Sequence, residues 1–390
     1  MAEKIWMVAG EASGDARSAE LMRSLLERRP DLRFAGAGGP KMAGMAGRPF
    51  DNWIADAGVL GLWDVLKRYG YFKAKFDSMI RAITEYTPDA VVLVDYPGFN
   101  LRLAKALRKR LPKLRVIYYV SPQVWAWNRG RIPKMAKWLD LMLCIFPFER
   151  DLYEASGLRT EFVGHPIVER LRKDRMEVPR EAGLVGLFPG SREREVKRNF
   201  PVMAGAAKRI LASHPETQFE AAAASGAHVD MMQAAAKAEG VAIRTVAGDA
   251  HGLMQRAGVG IVCSGTATLE AAYFGLPYAL IYRTAWLTYA IGKRLVKVPH
   301  LGIANILAGR TVVREFIQDS ATPGALADEM LRLMNHSEAR QELADDLRHV
   351  IELLGGPGAS DRAARAILET LGSEGRSRED AIPANSDNHE

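Results

Sequence analysis

The chain runs to 390 residues, too many for one ordinary core and suited to two domains of typical size. Its 48% apolar and 25% charged composition excludes a disordered or collagen-like protein, and no apolar run approaches the roughly 18 residues of a membrane-spanning helix. The net charge is +7, but the tail from Ser373 to Glu390 holds two arginines against five acids, so the body stands at +10 and calls for an anionic partner: nucleic acid, acidic lipid or a phosphorylated substrate.

In chain order, the strand-like run IWMVAG leads into GEASGDARSAELMRSLLERRP, a glycine-containing turn followed by a helical pattern. The apolar opening is too short for the core of a signal peptide, so a cytoplasmic protein is expected. The alternation repeats through RFAGAGG, a helical stretch over 77–86, AVVLVDYPG, the helix LRLAKALRKRL, RVIYYVSP and LDLMLCIFP. Short continuous apolar runs separated by amphipathic helices read as parallel strands buried on both faces. The pattern pauses at Gly164, His165 and Pro166, and the charged segment ERLRKDRMEVPREA follows. A second series then runs through GLVGLFPG, the helix FPVMAGAAKRILASH, QFEAAAA, the helix MMQAAAKAEG, GVGIVCSG, the helix TATLEAAYFG and PYALIYR.

The expected fold class is therefore α/β, with two doubly wound, Rossmann-like domains over 1–166 and 167–349 facing a cleft. A C-terminal helix over 350–372 closes the second domain or crosses back to the first. The tail over 373–390 has almost no apolar residues and is expected to be disordered. Glycosyltransferases, dehydrogenases and sugar-nucleotide epimerases all pair domains of this kind. Cys144 and Cys263 each sit in an apolar run, which fits buried, reduced thiols better than a disulfide.

Four turns carry candidate chemistry. In GLFPGSREREVKRNFP a strand passes through Gly190, Ser191 and Arg192 into a helix; the glycine permits a tight turn, the helix start offers free N–H groups and Arg192 adds a planar cation for phosphate oxygens. In VCSGTATLEAAYFGLP a strand ends at Ser264, Gly265 and Thr266, and Glu270, about one turn into the next helix, is placed to accept from ribose hydroxyls. Each turn alone reads equally as ordinary helix capping; two in one domain favour a nucleotide diphosphate. Neither matches the dinucleotide fingerprint or the P-loop, which weakens NAD and ATP.

In the first half, AVVLVDYPGFN puts Asp95 at the carboxyl end of a buried strand, where a catalytic base belongs, although a turn-forming aspartate looks the same. The turn AGEASGD supplies Glu11, Ser13 and Asp15, whose acids suit a hydroxyl-rich acceptor better than a phosphate. No Asp-x-Asp triplet occurs, so no metal-bridged diphosphate site is evident, and no metal or cofactor is expected. His165 reads as a packing residue, and His251 and His300 have no partners in ligand spacing.

Two aromatic-basic stretches suit an interfacial helix on anionic lipid or, equally, a core-facing helix. VLGLWDVLKRYGYFKAKF offers Leu62, Trp63, Leu66 and Phe72 for membrane or acyl contact, and AWLTYAIGKRLVKVP sets Trp286 and Tyr289 beside Lys293 and Arg294. No nucleic-acid motif accompanies the basic runs, so nucleic acid is not the expected polyanion.

Taken together, AGEASGD, GAGGPKM, GLWDVLK, DYPGFN, YYVSPQVWAW, FPFE, FVGHP, LFPGSRE, SGTATLE, RLVKVPHLGIANILAGR and VREFIQ resemble the lipid-A-disaccharide synthase family (glycosyltransferase family 19) over roughly residues 5–365. The resemblance implies the glycosyltransferase B fold, no metal requirement, and inverting transfer from UDP-2,3-diacylglucosamine to 2,3-diacylglucosamine 1-phosphate. The products would be a β(1→6)-linked disaccharide 1-phosphate and UDP, made at the inner face of the inner membrane. It also implies that Asp95 takes the place of the catalytic carboxylate, Arg192 that of the nucleotide-phosphate arginine and Asn305 that of a nucleotide-site asparagine, with Glu11, Ser13 and Asp15 on the first glycine turn. The family often reads Asp-x-Pro-Asp-Phe-Asn, whereas here Gly98 stands in place of the second acid and leaves Asp95 as the local base. Nothing in the residues sets an oligomeric state. The rival readings are another membrane-associated UDP-sugar glycosyltransferase, a UDP-sugar 2-epimerase and a non-catalytic sugar-nucleotide-binding regulator.

Overall fold

The computed structural model describes residues 2–54, 69–295 and 298–372. The first sheet contains β1 (Lys4–Ala9), β2 (Arg33–Gly38), β3 (Phe50–Asn52), β4 (Ala90–Val94), β5 (Arg115–Tyr119), β6 (Leu141–Cys144) and β7 (Thr160–Phe162). Its order is β3-β2-β1-β4-β5-β6-β7, with every neighbour parallel. The second contains β8 (Glu181–Phe188), β9 (Gln218–Ala223), β10 (Arg244–Ala247), β11 (Ala257–Cys263), β12 (Tyr278–Tyr282) and β13 (Glu315–Ile317), again all parallel, in the order β10-β9-β8-β11-β12-β13. The α/β class with two doubly wound sheets is as the sequence implies.

Both faces of each sheet are covered, which explains the uninterrupted apolar runs. In β1 and β4, Ile5, Met7, Val92 and Val94 point to one buried cluster, and Trp6, Val8, Val91 and Leu93 to the other. The helix Glu193–Ser213 shows how its own sequence docks it: Val196, Phe200, Met203, Ala207 and Ile210 recur at helical spacing and are all buried against the second sheet.

Strand order reverses between β1 and β4 in the first sheet and between β8 and β11 in the second. At such a switch point the flanking crossovers go to opposite faces and leave a crevice at the carboxyl ends of the strands. The glycine turns singled out above follow these four strands.

The helix Ser337–Leu353 packs with the second domain through Leu343, Leu347 and Val350. The helix Ala359–Gly372 lies instead against the helix Ala12–Arg28 of the first: Arg28 donates to both carboxylate oxygens of Asp361 at 2.7–2.9 Å, and Arg362 Nε donates to the carbonyl of Val163 at 2.8 Å. The 373–390 segment, read as a disordered tail, lies outside the described residues.

Candidate functional site

The second domain forms a cavity at its switch point. After β8 the chain turns at Gly190, whose φ of +115° suits glycine, and the helix Glu193–Ser213 begins. After β11 it turns at Gly265, φ +140°, into the helix Thr266–Tyr273, whose first turn has no side-chain cap. Asn199 ties the two turns together, donating to the carbonyl of Pro189 at 2.9 Å and to Cys263 Sγ at 3.2 Å. Burial pushes the Cys263 thiol up to about 12, so it remains a neutral packing group.

Between the turns lies a cavity of about 360 Å³, walled by Ala222, Ala223 and Ala224 at the carboxyl end of β9 and by Ala250 and Met254. Gly190, Ser191, Arg192, Ser264, Gly265, Thr266 and Glu270 all line it, so seven of the eight residues expected on the nucleotide side come together. The small side chains leave room, and the helix start without a side-chain cap presents its positive end to the cavity. At the other turn a carboxylate takes the free donors: Glu195 Oε2 accepts from the N–H groups of Ser191 (3.1 Å) and Arg192 (3.2 Å), while Oε1 stands 3.3 Å from Arg192 Nη1. Glu195 and its reach back into the turn were not read from the sequence; its place three residues past the helix start is the capping-box signal that would have found it.

Asn305, the eighth residue, is not among the residues that line the cavity. It is fully buried, and both ends of its amide are used: Nδ2 donates to the carbonyl of Val313 (2.8 Å) and to Glu315 Oε1 (2.7 Å), while Oδ1 accepts from the N–H groups of Val312 and Val313, each at 2.8 Å. With Glu315, which also takes the N–H groups of Leu301 and Gly302 at 2.9 Å, it braces the segment 301–313 onto β13.

Glu270 stands at the edge of the cavity within a network. Arg170 Nη2, from the helix Ile167–Arg172 between the two sheets, donates to its Oε1 at 2.7 Å. His251 Nε2 stands 3.6 Å from Oε2, and His251 Nδ1 is 2.8 Å from Asp174 Oδ2. Burial works to raise the Glu270 carboxyl, but the His251 hydrogen bond and the charge of Arg170 outweigh it and hold it below its usual range. The hydrogen bond to Glu270, with that to Asp174, raises His251 against a smaller opposing effect of burial. Neither Arg170 nor Asp174 carried a sequence signal for this role.

At the first switch point, Asp95 follows β4. Asp95 (φ +50°) and Tyr96 (φ +49°) are both left-handed, a conformation that costs non-glycine residues energy and recurs where geometry serves function. The turn is pinned: the carbonyl of Asp95 accepts from Asn100 Nδ2 (2.7 Å) and Tyr118 Oη (2.6 Å), and Asp95 Oδ1 accepts from the N–H of Tyr96 at 2.9 Å. Oδ2 accepts from Arg17 Nη1 at 3.3 Å, and the side chain stays partly open to solvent. The turn after β1 fits against this one because Gly10 has no side chain; a Cβ there would lie 2.3 Å from the Tyr96 ring.

Glu11 and Ser13 are exposed on that first turn, whereas Asp15 is turned inward. It is buried, and its carboxylate accepts from the N–H groups of Gly39 (2.9 Å), Lys41 (3.0 Å) and Met42 (3.0 Å), which fixes the chain after β2. A second buried acid, Glu149 of the FPFE segment, accepts from Ser121 Oγ (2.5 Å), Trp125 Nε1 (2.8 Å) and the N–H of Phe146 (3.1 Å), binding the SPQVWAW loop to the end of β6. Burial pushes its carboxyl up to about 7. His165 packs against Phe146 (5.4 Å between ring centres), and its Nδ1 accepts from the N–H of Ile167 at 3.1 Å. Burial, then the charges of Arg17 and Arg170, push it down to about 3, so it is a neutral packing residue.

Of the aromatic-basic stretches, Leu62, Trp63 and Leu66 lie outside the described residues, and so does the Phe72 side chain. In the helix Trp286–Leu295, Trp286 is 76% exposed and Lys293 and Arg294 are exposed, while Tyr289 is half-buried. Among the described residues no helix is long and apolar enough to cross a membrane.

A sequence model of the family described as "Lipid-A-disaccharide synthetase" matches residues 5–369. Proteins named lipid-A-disaccharide synthase from Trichlorobacter lovleyi and Myxococcus xanthus are 39% and 37% identical to this chain, over 95% and 94% of it and 98% and 97% of their own lengths. Among solved structures, a putative UDP-N-acetylglucosamine 2-epimerase from Listeria monocytogenes is similar at a TM-score of 0.62 with 14% identity, covering 96% of this chain and 98% of its own. MurG from Acinetobacter baumannii gives 0.58 with 15% identity, covering 95% and 100%; at this identity both likenesses speak to the fold.

Proposed function

The chain belongs to the lipid-A-disaccharide synthetase family and is a glycosyltransferase of the B fold, and we propose that it transfers 2,3-diacylglucosamine from its UDP derivative to 2,3-diacylglucosamine 1-phosphate. The products are the β(1→6) disaccharide 1-phosphate and UDP. The observation that carries this reading is the convergence of two glycine turns, Arg192 and Glu270 on one cavity of about 360 Å³ at the second switch point. That volume and lining suit a nucleoside diphosphate: helix-start N–H groups and Arg192 for the phosphates, Glu270 for the ribose hydroxyls.

Asp95, on the opposite domain, takes the proton from the acceptor's 6-hydroxyl as its oxygen attacks the anomeric carbon, a contribution of about 10²–10⁴ in rate. Charge developing on the departing UDP is met by Arg192 and by the N–H groups of the two turns, already oriented before reaction. Glu195, which holds the Ser191 and Arg192 N–H groups here, gives them up to a phosphate oxygen when the donor enters. Asp95 is oriented by Arg17 and by the pinned left-handed turn, while Glu11 and Ser13 face the acceptor. The acyl chains rest on the aromatic-basic segments around Leu62, Trp63, Leu66 and Phe72 and around Trp286, on the inner face of the inner membrane, with the basic body against anionic lipid.

Mass spectrometry of the product from UDP-2,3-diacylglucosamine and its 1-phosphate acceptor tests the reading. A disaccharide 1-phosphate with one UDP released per transfer is the expected result. An epimerised donor with no disaccharide, or no turnover, overturns it.

A further inference from the structure

Glu270 is held from two sides, and the two sides differ in kind. Arg170, which reaches its Oε1, is a long side chain that is 57% exposed. His251, which faces its Oε2, is fixed by three elements: Nδ1 bonds to Asp174 Oδ2 at 2.8 Å, the ring lies 5.3 Å from that of Phe274, and Gln255 Nε2 donates to the carbonyls of His251 (3.1 Å) and Asp174 (2.9 Å). Because a carboxylate only accepts, Nδ1 carries a proton. Nε2 then faces a second carboxylate at the ion-pair distance of 3.6 Å, an environment that suits the doubly protonated, charged ring. The charged groups around it are Asp174 from the segment between the sheets, Glu270 from the helix Thr266–Tyr273, and Arg170 through Glu270.

We propose that His251 is the positioning residue for ribose recognition: anchored on Asp174, it holds the Glu270 carboxylate facing the cavity so that both ribose hydroxyls find an acceptor. The inference rests on the cavity being the uridine nucleotide site. Without His251 the carboxylate answers to Arg170 alone and is drawn toward the helix Ile167–Arg172, away from a nucleotide. Arg170 and Asp174 both belong to the segment that joins the two sheets, so the same clamp ties ribose binding to that segment.

Calorimetry on the full chain at pH 6 with UDP and with 2′,3′-dideoxy-UDP tests it. The unaltered protein is expected to prefer UDP by at least about tenfold, the range of hydrogen bonds to a charged acceptor. His251→Phe, which keeps the ring stack but donates nothing, is expected to cut that preference roughly three- to tenfold while leaving dideoxy-UDP affinity unchanged. His251→Arg, which keeps a cation facing Glu270, is expected to restore it. If the phenylalanine variant melts early, His251→Gln carries the same comparison, with a reduced preference expected. An unchanged preference in these variants overturns the inference and leaves the nucleotide site standing. Equal affinity of the unaltered protein for the two ligands removes Glu270 from the ribose and the inference with it, whereas no affinity for UDP overturns the underlying reading.

Discussion

Arg17 Nη1 donates to Asp95 Oδ2 at 3.3 Å, so an arginine one turn into the first helix orients the acid that follows β4. Asp95→Asn is expected to abolish turnover and leave UDP affinity unchanged, because under the proposed function the side chain serves the acceptor and not the nucleotide. Arg17→Ala is expected to lower kcat less severely. Residual turnover within about tenfold in the Asp95 variant would remove it as general base.

Arg192 is exposed at the mouth of the nucleotide cavity, and its only ion pair among the described residues is with Glu195. Arg192→Ala should therefore fold normally and weaken UDP binding by about 1.5–3 kcal/mol, the usual worth of a hydrogen bond to a charged group. Calorimetry measures this directly. EDTA should leave the rate unchanged; a strong loss would reveal a metal in the donor site.

Asn305 is fully buried, makes four hydrogen bonds and is not among the residues lining the cavity. Asn305→Ala strands the N–H groups of Val312 and Val313, each costing about 1–3 kcal/mol. The expected result is a large drop in melting temperature, with UDP affinity retained by the protein that remains folded. Normal melting with lost UDP affinity would instead place Asn305 at the nucleotide.

The two histidines that flank the domain junction respond to pH with opposite sign. His165 is depressed to about 3 from 6.5, so its contribution to stability is present above pH 6.5 and lost as pH falls toward 3. His251 is raised, so its contribution is full below pH 6.5 and lost as pH rises through its folded value. Melting curves across pH 4–9 are expected to show His165→Phe gaining on the unaltered protein toward acid, and His251→Phe losing ground toward acid. Parallel profiles would contradict both.

Replacing Leu62, Trp63, Leu66 and Phe72 with Ser is expected to release the protein from anionic vesicles without changing its melting temperature. Were these side chains core, each loss would cost about 2–5 kcal/mol and the four together would unfold a domain. Trp286→Ser, at an exposed position, should weaken vesicle binding further. High salt should act in the same direction, since cations such as Lys67, Arg68 and Lys73 would contribute about 1 kcal/mol each if held near an anionic surface.

The residue pattern alone marked every central strand, the two doubly wound halves and the glycine turns at both switch points. It did not mark β3, β7, β10 and β13, which read FDN, TEF, RTVA and EFI. All four are sheet edges. A strand covered on both faces and paired on both sides must be apolar throughout and announces itself as a run of Val, Ile and Leu. An edge strand is short and half-solvated, and its residues need satisfy only one neighbour. The same distinction governs the site. Turn residues such as Gly190 and Gly265 are legible because their local backbone demands glycine, and Asp95 because it ends a buried strand; motif resemblance implied a role for Asp95.

Whether a polar side chain faces the cleft or braces the scaffold is a different matter, set by partners far away in sequence. Asp15 is claimed by the N–H groups of Gly39, Lys41 and Met42, and Asn305 by β13 and the strand's approach. Glu270 acquires Arg170 from one hundred positions earlier, and His251 acquires Asp174 from seventy-seven. Local pattern thus determined the fold class and the places where chemistry is possible; only the packing of distant segments decided which acids remain available for it, because a buried carboxylate or amide takes whichever donors the tertiary structure brings to it.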